Sequence, residues 1–155
     1  MIDTPELLAT QPLVCAKIYQ IVPSSDIQSV MGKTLQELKA GIQEQGITIT
    51  GPWFTHHINP PGKNFDFEVC FPVSSPVEPK GRMQPGEWPA MNLVRTVYKG
   101  GYEGLGAAWA EFTAWIKANG YATEPEIWER YIAGPETGND SSKWQTELNL
   151  RLADK

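Results

Sequence analysis

Cysteine and histidine are scarce in this chain, with two of each among 155 residues. Cys15 and Cys70 are too few for a disulfide framework or a structural zinc site, and both read as buried thiols. His56 and His57 are consecutive, so on a strand they point to opposite faces and chelate one metal ion poorly. No metal and no cofactor are expected. Positive charge is thin as well: 13 Lys and Arg stand against 18 Asp and Glu, a net charge of −5. The cations form no cluster and no helix-turn-helix pattern is found, so direct contact with nucleic acid is not expected. No apolar run approaches the ~20 residues of a membrane span. The first six residues lack the basic start and apolar stretch of a signal peptide, so a soluble cytoplasmic protein is expected. Gly100 and Gly101 have no phosphate-loop pattern around them and read as a tight turn. Ser141 and Ser142 lack a nucleophile-elbow context.

Aromatic rings, in contrast, are plentiful: six Trp, five Tyr and five Phe. Rings in that number build a core, line a ligand site, or do both. Two runs alternate with a period of two, which marks strands. In residues 144–152, Trp144, Thr146, Leu148, Leu150 and Leu152 fall on one side, and Gln145, Glu147, Asn149 and Arg151 on the other. In residues 65–71, Phe65, Phe67, Val69 and Phe71 oppose Asp66, Glu68 and Cys70. Each strand carries a Glu near its middle, on the less apolar face.

The remaining elements fall into two similar series. The first has a strand over residues 13–22, then a helix over 26–44 with Ile27, Val30, Met31, Leu35, Leu38 and Ile42 as its apolar stripe. A strand over 53–58 follows, and a turn through Pro60, Pro61 and Gly62 leads to the Glu68 strand. Residues 73–89 are punctuated by proline and glycine, which excludes a helix but leaves room for a short edge strand at Val77 or Met83. The second series has a strand over 91–99, a helix over 102–119 with Leu105, Trp109, Phe112 and Ile116 on one face, a strand over 127–133, and the Glu147 strand. Gly32 and Gly106, like Gly46 and Gly120, stand 74 residues apart. Trp53 and Trp128 stand 75 apart, and Tyr19 and Tyr98, like Glu68 and Glu147, 79 apart. Length changes confined to loops are what a duplicated fold tolerates.

The expectation is therefore one α+β domain of two strand–helix–strand–strand units, residues 13–73 and 91–152, with a connector over 74–90. One helix covers one face of three strands, so the other face must be wet or must look onto its twin. A pseudo-two-fold pairing of the units would enclose a groove, the kind of cleft that ligands favour, with Glu68 and Glu147 facing into it.

The order of elements resembles the GyrI-like small-molecule-binding domain, the effector module of many AraC- and MerR-type regulators. The residues that carry the resemblance run from Tyr98 through Gly100, Gly101, Tyr102, Gly104, Leu105 and Gly106 to Trp109, from Trp128 through Tyr131 to Gly134 and Pro135, from Trp144 to Leu148, and from Phe67 to Val73. The resemblance implies a pocket with an acid among rings, accepting flat or cationic drug-like compounds. Carried over, the acid is Glu147 with Glu68 as its partner, and the candidate rings are Tyr19, Trp53, Trp88, Tyr98, Trp109 and Tyr131. Trp144, on the side of its strand opposite Glu147, is assigned to the core. With no DNA-binding domain before residue 13, the chain looks like a stand-alone form. Stand-alone members bind toxic compounds, act on other proteins as interaction inhibitors, or hydrolyse strained, cyclopropyl-type electrophiles. On the hydrolytic reading Glu147 or Glu68 would activate water.

Overall fold

The computed structural model describes residues 2–59 and 62–153. Its elements in chain order are β1 (Glu6–Ala9), β2 (Leu13–Pro23), α1 (Ile27–Glu44), β3 (Phe54–His57), β4 (Asn64–Pro72), β5 (Gln84–Trp88), β6 (Asn92–Lys99), α2 (Leu105–Ala118), β7 (Thr123–Ala133) and β8 (Gln145–Leu152). The α+β class and the two alternating strands follow the expectation closely. Pro60 and Pro61, in the expected β3–β4 turn, lie outside the described residues. β1 is additional to the expected strands, because four residues after Pro5 carry too little pattern to read. The second helix starts later than expected, as Tyr102–Gly104 form a single 3-10 turn before it.

Among the described residues, eight strands form one antiparallel sheet in the order β1-β6-β8-β7-β3-β4-β2-β5. That order bends the sheet. β5 and β6 lie six strand positions apart, roughly 29 Å in a flat sheet. Only residues 89–91 join them, and the four steps from Trp88 to Asn92 reach about 14 Å at most. The sheet therefore has to curl until its edges approach each other.

The inside of the curl holds Cys15, Phe54, Cys70, Trp88, Met91, Leu93 and Trp128, packed as one apolar cluster. Thr10 clasps the junction: its hydroxyl donates to Pro89 O (2.9 Å) and accepts from Met91 N (3.2 Å) and Trp88 Nε1 (3.3 Å). Thr10→Val keeps the shape and strands those two donors, so it is expected to cost about 1–2 kcal/mol. The urea midpoint should fall with an unchanged m value.

The outer face carries both helices. α1 lays Leu38 and Ile42 over Ile18, Phe67 and Val69 of β2 and β4. α2 lays Ala108, Phe112 and Ile116 over Val94, Ile127, Leu148 and Leu150. Each helix covers its own half, and the seam where β3 pairs with β7 is left open between them. Among the described residues no helix is long and apolar enough to cross a membrane.

Candidate functional site

The uncovered seam becomes a cleft of about 1300 Å³ between the helices, larger than the ~300–1,000 Å³ of ordinary small-molecule pockets. Its floor is the outer face of the central strands: Thr55 and His57 of β3, Phe65, Phe67 and Phe71 of β4, and Ile127, Glu129 and Tyr131 of β7. Met31 and Leu35 of α1 form one wall, and Leu105, Trp109 and Thr113 of α2 the other. Trp53, Tyr102, Glu103, Glu136 and Trp144 also line it.

One polar cluster interrupts this apolar lining. Trp109 Nε1–H donates to Glu129 Oε2 and the Tyr131 hydroxyl donates to Glu129 Oε1, both at 2.6 Å. Tyr131 Oη also lies 3.0 Å from Thr55 Oγ1. Glu129 is buried, and burial raises its carboxyl above the ordinary range despite the two donors, which act the other way. Burial, then Glu129, pushes the Tyr131 phenol well up. Burial with Glu136 and Glu129 takes Tyr102 up to about 12. Both phenols are thus neutral donors at physiological pH. Trp53 stacks on Tyr131 at 3.9 Å between centroids, and Tyr102 meets Tyr131 edge-on at 6.1 Å.

Three of the sequence-derived site residues, Trp53, Trp109 and Tyr131, line this cleft. The other five lie elsewhere. Glu147 is buried inside the curl, 2.6 Å from Arg130 Nη2 and 3.1 Å from Arg95 Nε. Glu68 stands on the same inner face, bonded to Lys17 at 2.6 Å and His56 at 2.9 Å. Burial disfavours the imidazolium of His56, but the bonds to Glu68 and Glu126 outweigh it and raise its pKa. Tyr19 is exposed on that face and donates to Asp66. Trp88 belongs to the inner cluster. Tyr98 is buried beneath the turn into α2, where its hydroxyl donates to Gly101 O at 2.8 Å and a methyl at Gly104 would overlap it.

Among the described residues, the curl packs the middle of the helix-free face onto itself around the inner apolar cluster, while Tyr19 at its rim stays exposed. The cleft lies on the helix face instead. Trp144 shows the consequence: its parity opposite Glu147 is as read, but that parity turns it to the cleft, tilted against Tyr102 at 5.1 Å. Glu129 is absent from the sequence-derived set, although its signal is present. In Ile127, Glu129 and Tyr131 it shares the parity of two apolar side chains, and a carboxylate in an apolar row marks a buried charge.

A curled sheet with an aromatic cleft between two helices and one buried carboxylate on its floor defines a small-molecule-binding domain. The chain belongs to the GyrI-like small molecule binding domain family, whose profile matches residues 5–153. It is similar to the C-terminal domain of EcmrR, with 26% identity and a TM-score of 0.83 over 98% of each chain. Against EcmrR in its DNA complex the TM-score is also 0.83, and the match spans 98% of this chain but 58% of EcmrR. The fold is shared with a hydrolase from Listeria innocua (14% identity, TM-score 0.67, 96% of this chain and 91% of that one). It is shared too with SAV2435 bound to tetraphenylphosphonium (13% identity, TM-score 0.59, 97% and 94% covered). No curated protein matches the chain.

Proposed function

We propose that this domain senses or sequesters bulky aromatic cations, held in the cleft with Glu129 as their counter-charge. The observation that carries this reading is a buried carboxylate whose partners among the described residues are a Trp and a Tyr, with no cation. Burial costs such a group free energy, and an incoming cation relieves that cost. At ~4 Å and an effective dielectric near 20 the attraction is about 4 kcal/mol, to which ring faces add up to about 2. The charges around the cleft favour the same sign of ligand, with Glu103, Glu129 and Glu136 against the single ammonium of Lys39. A wide cleft lined by rings makes little demand on shape, so several unrelated cations should fit. SAV2435, of the same fold, binds tetraphenylphosphonium, which makes that ion a sensible first probe.

Quenching of Trp fluorescence tests the reading with two ions of near-identical size and opposite charge. Tetraphenylphosphonium should quench saturably, and tetraphenylborate should bind at least tenfold more weakly. Equal or tighter binding of the borate would refute the counter-charge role of Glu129.

A further inference from the structure

His57 stands on the cleft floor with no evident use. Its ring is 6% exposed, lies flat against Phe67 at 5.2 Å and meets Phe65 edge-on at 5.6 Å. Packing thus holds it in one orientation. No hydrogen bond to either ring nitrogen is found among the described residues, and Nδ1 is wholly enclosed. As a space-filler among phenylalanines, a Phe would serve here without leaving an enclosed nitrogen unsatisfied. Buried polar groups without partners are rare enough to call for a reason.

Burial, reinforced by His56, lowers the ring's pKa to about 4, so it is neutral at physiological pH. A bare lone pair is tolerated better than a bare N–H. We therefore assign the ring proton to Nε2, the nitrogen not sealed in. The register pairs Thr55 with Glu129 and His57 with Ile127. His57 and Glu129 are then diagonal neighbours on one face, with Cα atoms about 7–8 Å apart.

We infer that His57 selects among the cations the cleft admits, favouring those that carry beside the positive charge a hydrogen-bond acceptor, such as a hydroxyl, ether or carbonyl oxygen, placed to accept the Nε2 proton. This rests on Glu129 receiving the charge. The preferred ligand class is thus oxygenated aromatic cations rather than plain lipophilic ones.

The test compares tetraphenylphosphonium with the ortho, meta and para isomers of (hydroxyphenyl)triphenylphosphonium, on wild type, His57→Phe, His57→Gln and Glu129→Gln. At least one isomer should bind the wild type about three- to tenfold tighter than the parent ion, the worth of one buried hydrogen bond. His57→Phe should bring the ratio of isomer to parent Kd, both measured on that variant, to about one, while His57→Gln, which retains a donor, keeps part of the advantage. Near-UV circular dichroism establishes that each variant is folded. The inference falls if no isomer outperforms the parent on wild type, or if the advantage survives in His57→Phe. Failure of the counter-charge reading looks different: the parent ion would then bind Glu129→Gln as tightly as wild type. Should the parent fail to bind wild type at all, both readings fall.

Discussion

Glu129→Gln should melt higher than the wild type at neutral pH and lose about 30-fold or more in affinity for tetraphenylphosphonium. The stability gain follows from the raised carboxyl pKa. A group that holds its proton more tightly folded than unfolded contributes stability at low pH, and that contribution is lost as pH rises through the folded pKa. The wild type therefore bears the cost of its buried acid at every pH above the unfolded pKa, and glutamine bears none. The hydrogen bonds survive the change. The carbonyl oxygen of the introduced amide can accept from Trp109 Nε1, and its NH₂ can donate to Tyr131 Oη, whose own proton turns to Thr55 Oγ1 at 3.0 Å. The Tm difference should shrink to nothing below pH 4 and grow through the mildly acidic range. Binding should show the complementary profile. A bound cation lowers the Glu129 pKa, so wild-type affinity rises with pH up to tenfold per unit until the free-state pKa is passed. In Glu129→Gln the affinity should be flat. The 30-fold loss corresponds to about 2 kcal/mol, roughly half the Coulomb attraction of a close pair after its own desolvation. A wild-type affinity that does not vary between pH 4 and 8 would rule out Glu129 as the counter-charge.

Periodicity carries the secondary structure because each strand and helix has a face buried against one neighbour, and a face leaves its period in the chain. The strand of residues 64–72 and that of 145–152 are legible for this reason, as is the stripe of α2. What periodicity does not encode is which face of the finished sheet closes. That is decided by the three residues between β5 and β6, whose shortness forces the curl, and by a short edge strand, β5, that the prolines around it disguise. The consequence passes directly to the site. Glu68 and Glu147 do share a face, but that face is the interior of the curl, where Lys17, His56, Arg95 and Arg130 neutralise them. Trp53, Trp109 and Tyr131 stand as cleft residues, and the acid among them is visible only once the strands are placed in space.

Glu147→Gln is expected to do the reverse of Glu129→Gln, destabilising the fold while leaving ligand affinity within twofold. The Glu147 carboxylate is 3% exposed and receives the Arg130 and Arg95 guanidinium groups, with Asn149 Nδ2 donating to it at 3.1 Å. Every neighbour is a donor. A glutamine amide therefore sets its NH₂ against the Arg130 Nη2–H in one orientation and against the Asn149 Nδ2–H in the other, and no hydroxyl among the described residues bonds to Glu147 to turn and relieve it. The two arginines also lose the charge that keeps them from repelling each other, and Arg130 already has an enclosed Nε without a partner. Breaking a buried charge network from one side costs about 3–5 kcal/mol, a large share of the roughly 5–15 that holds a typical domain together. The urea midpoint reads the loss. Binding is then measured at a temperature where the variant remains folded, and the separation of the two faces predicts no change there. If Glu147→Gln abolished tetraphenylphosphonium binding in a folded protein while Glu129→Gln did not, the ligand would enter the inner face and the assignment of the cleft would be reversed. Equal losses in both variants would mean that the inner network sets the geometry of the floor. Trp128 and Arg130 flank Glu129 along β7 and point inward, so a shift there would reach the cleft through the backbone alone.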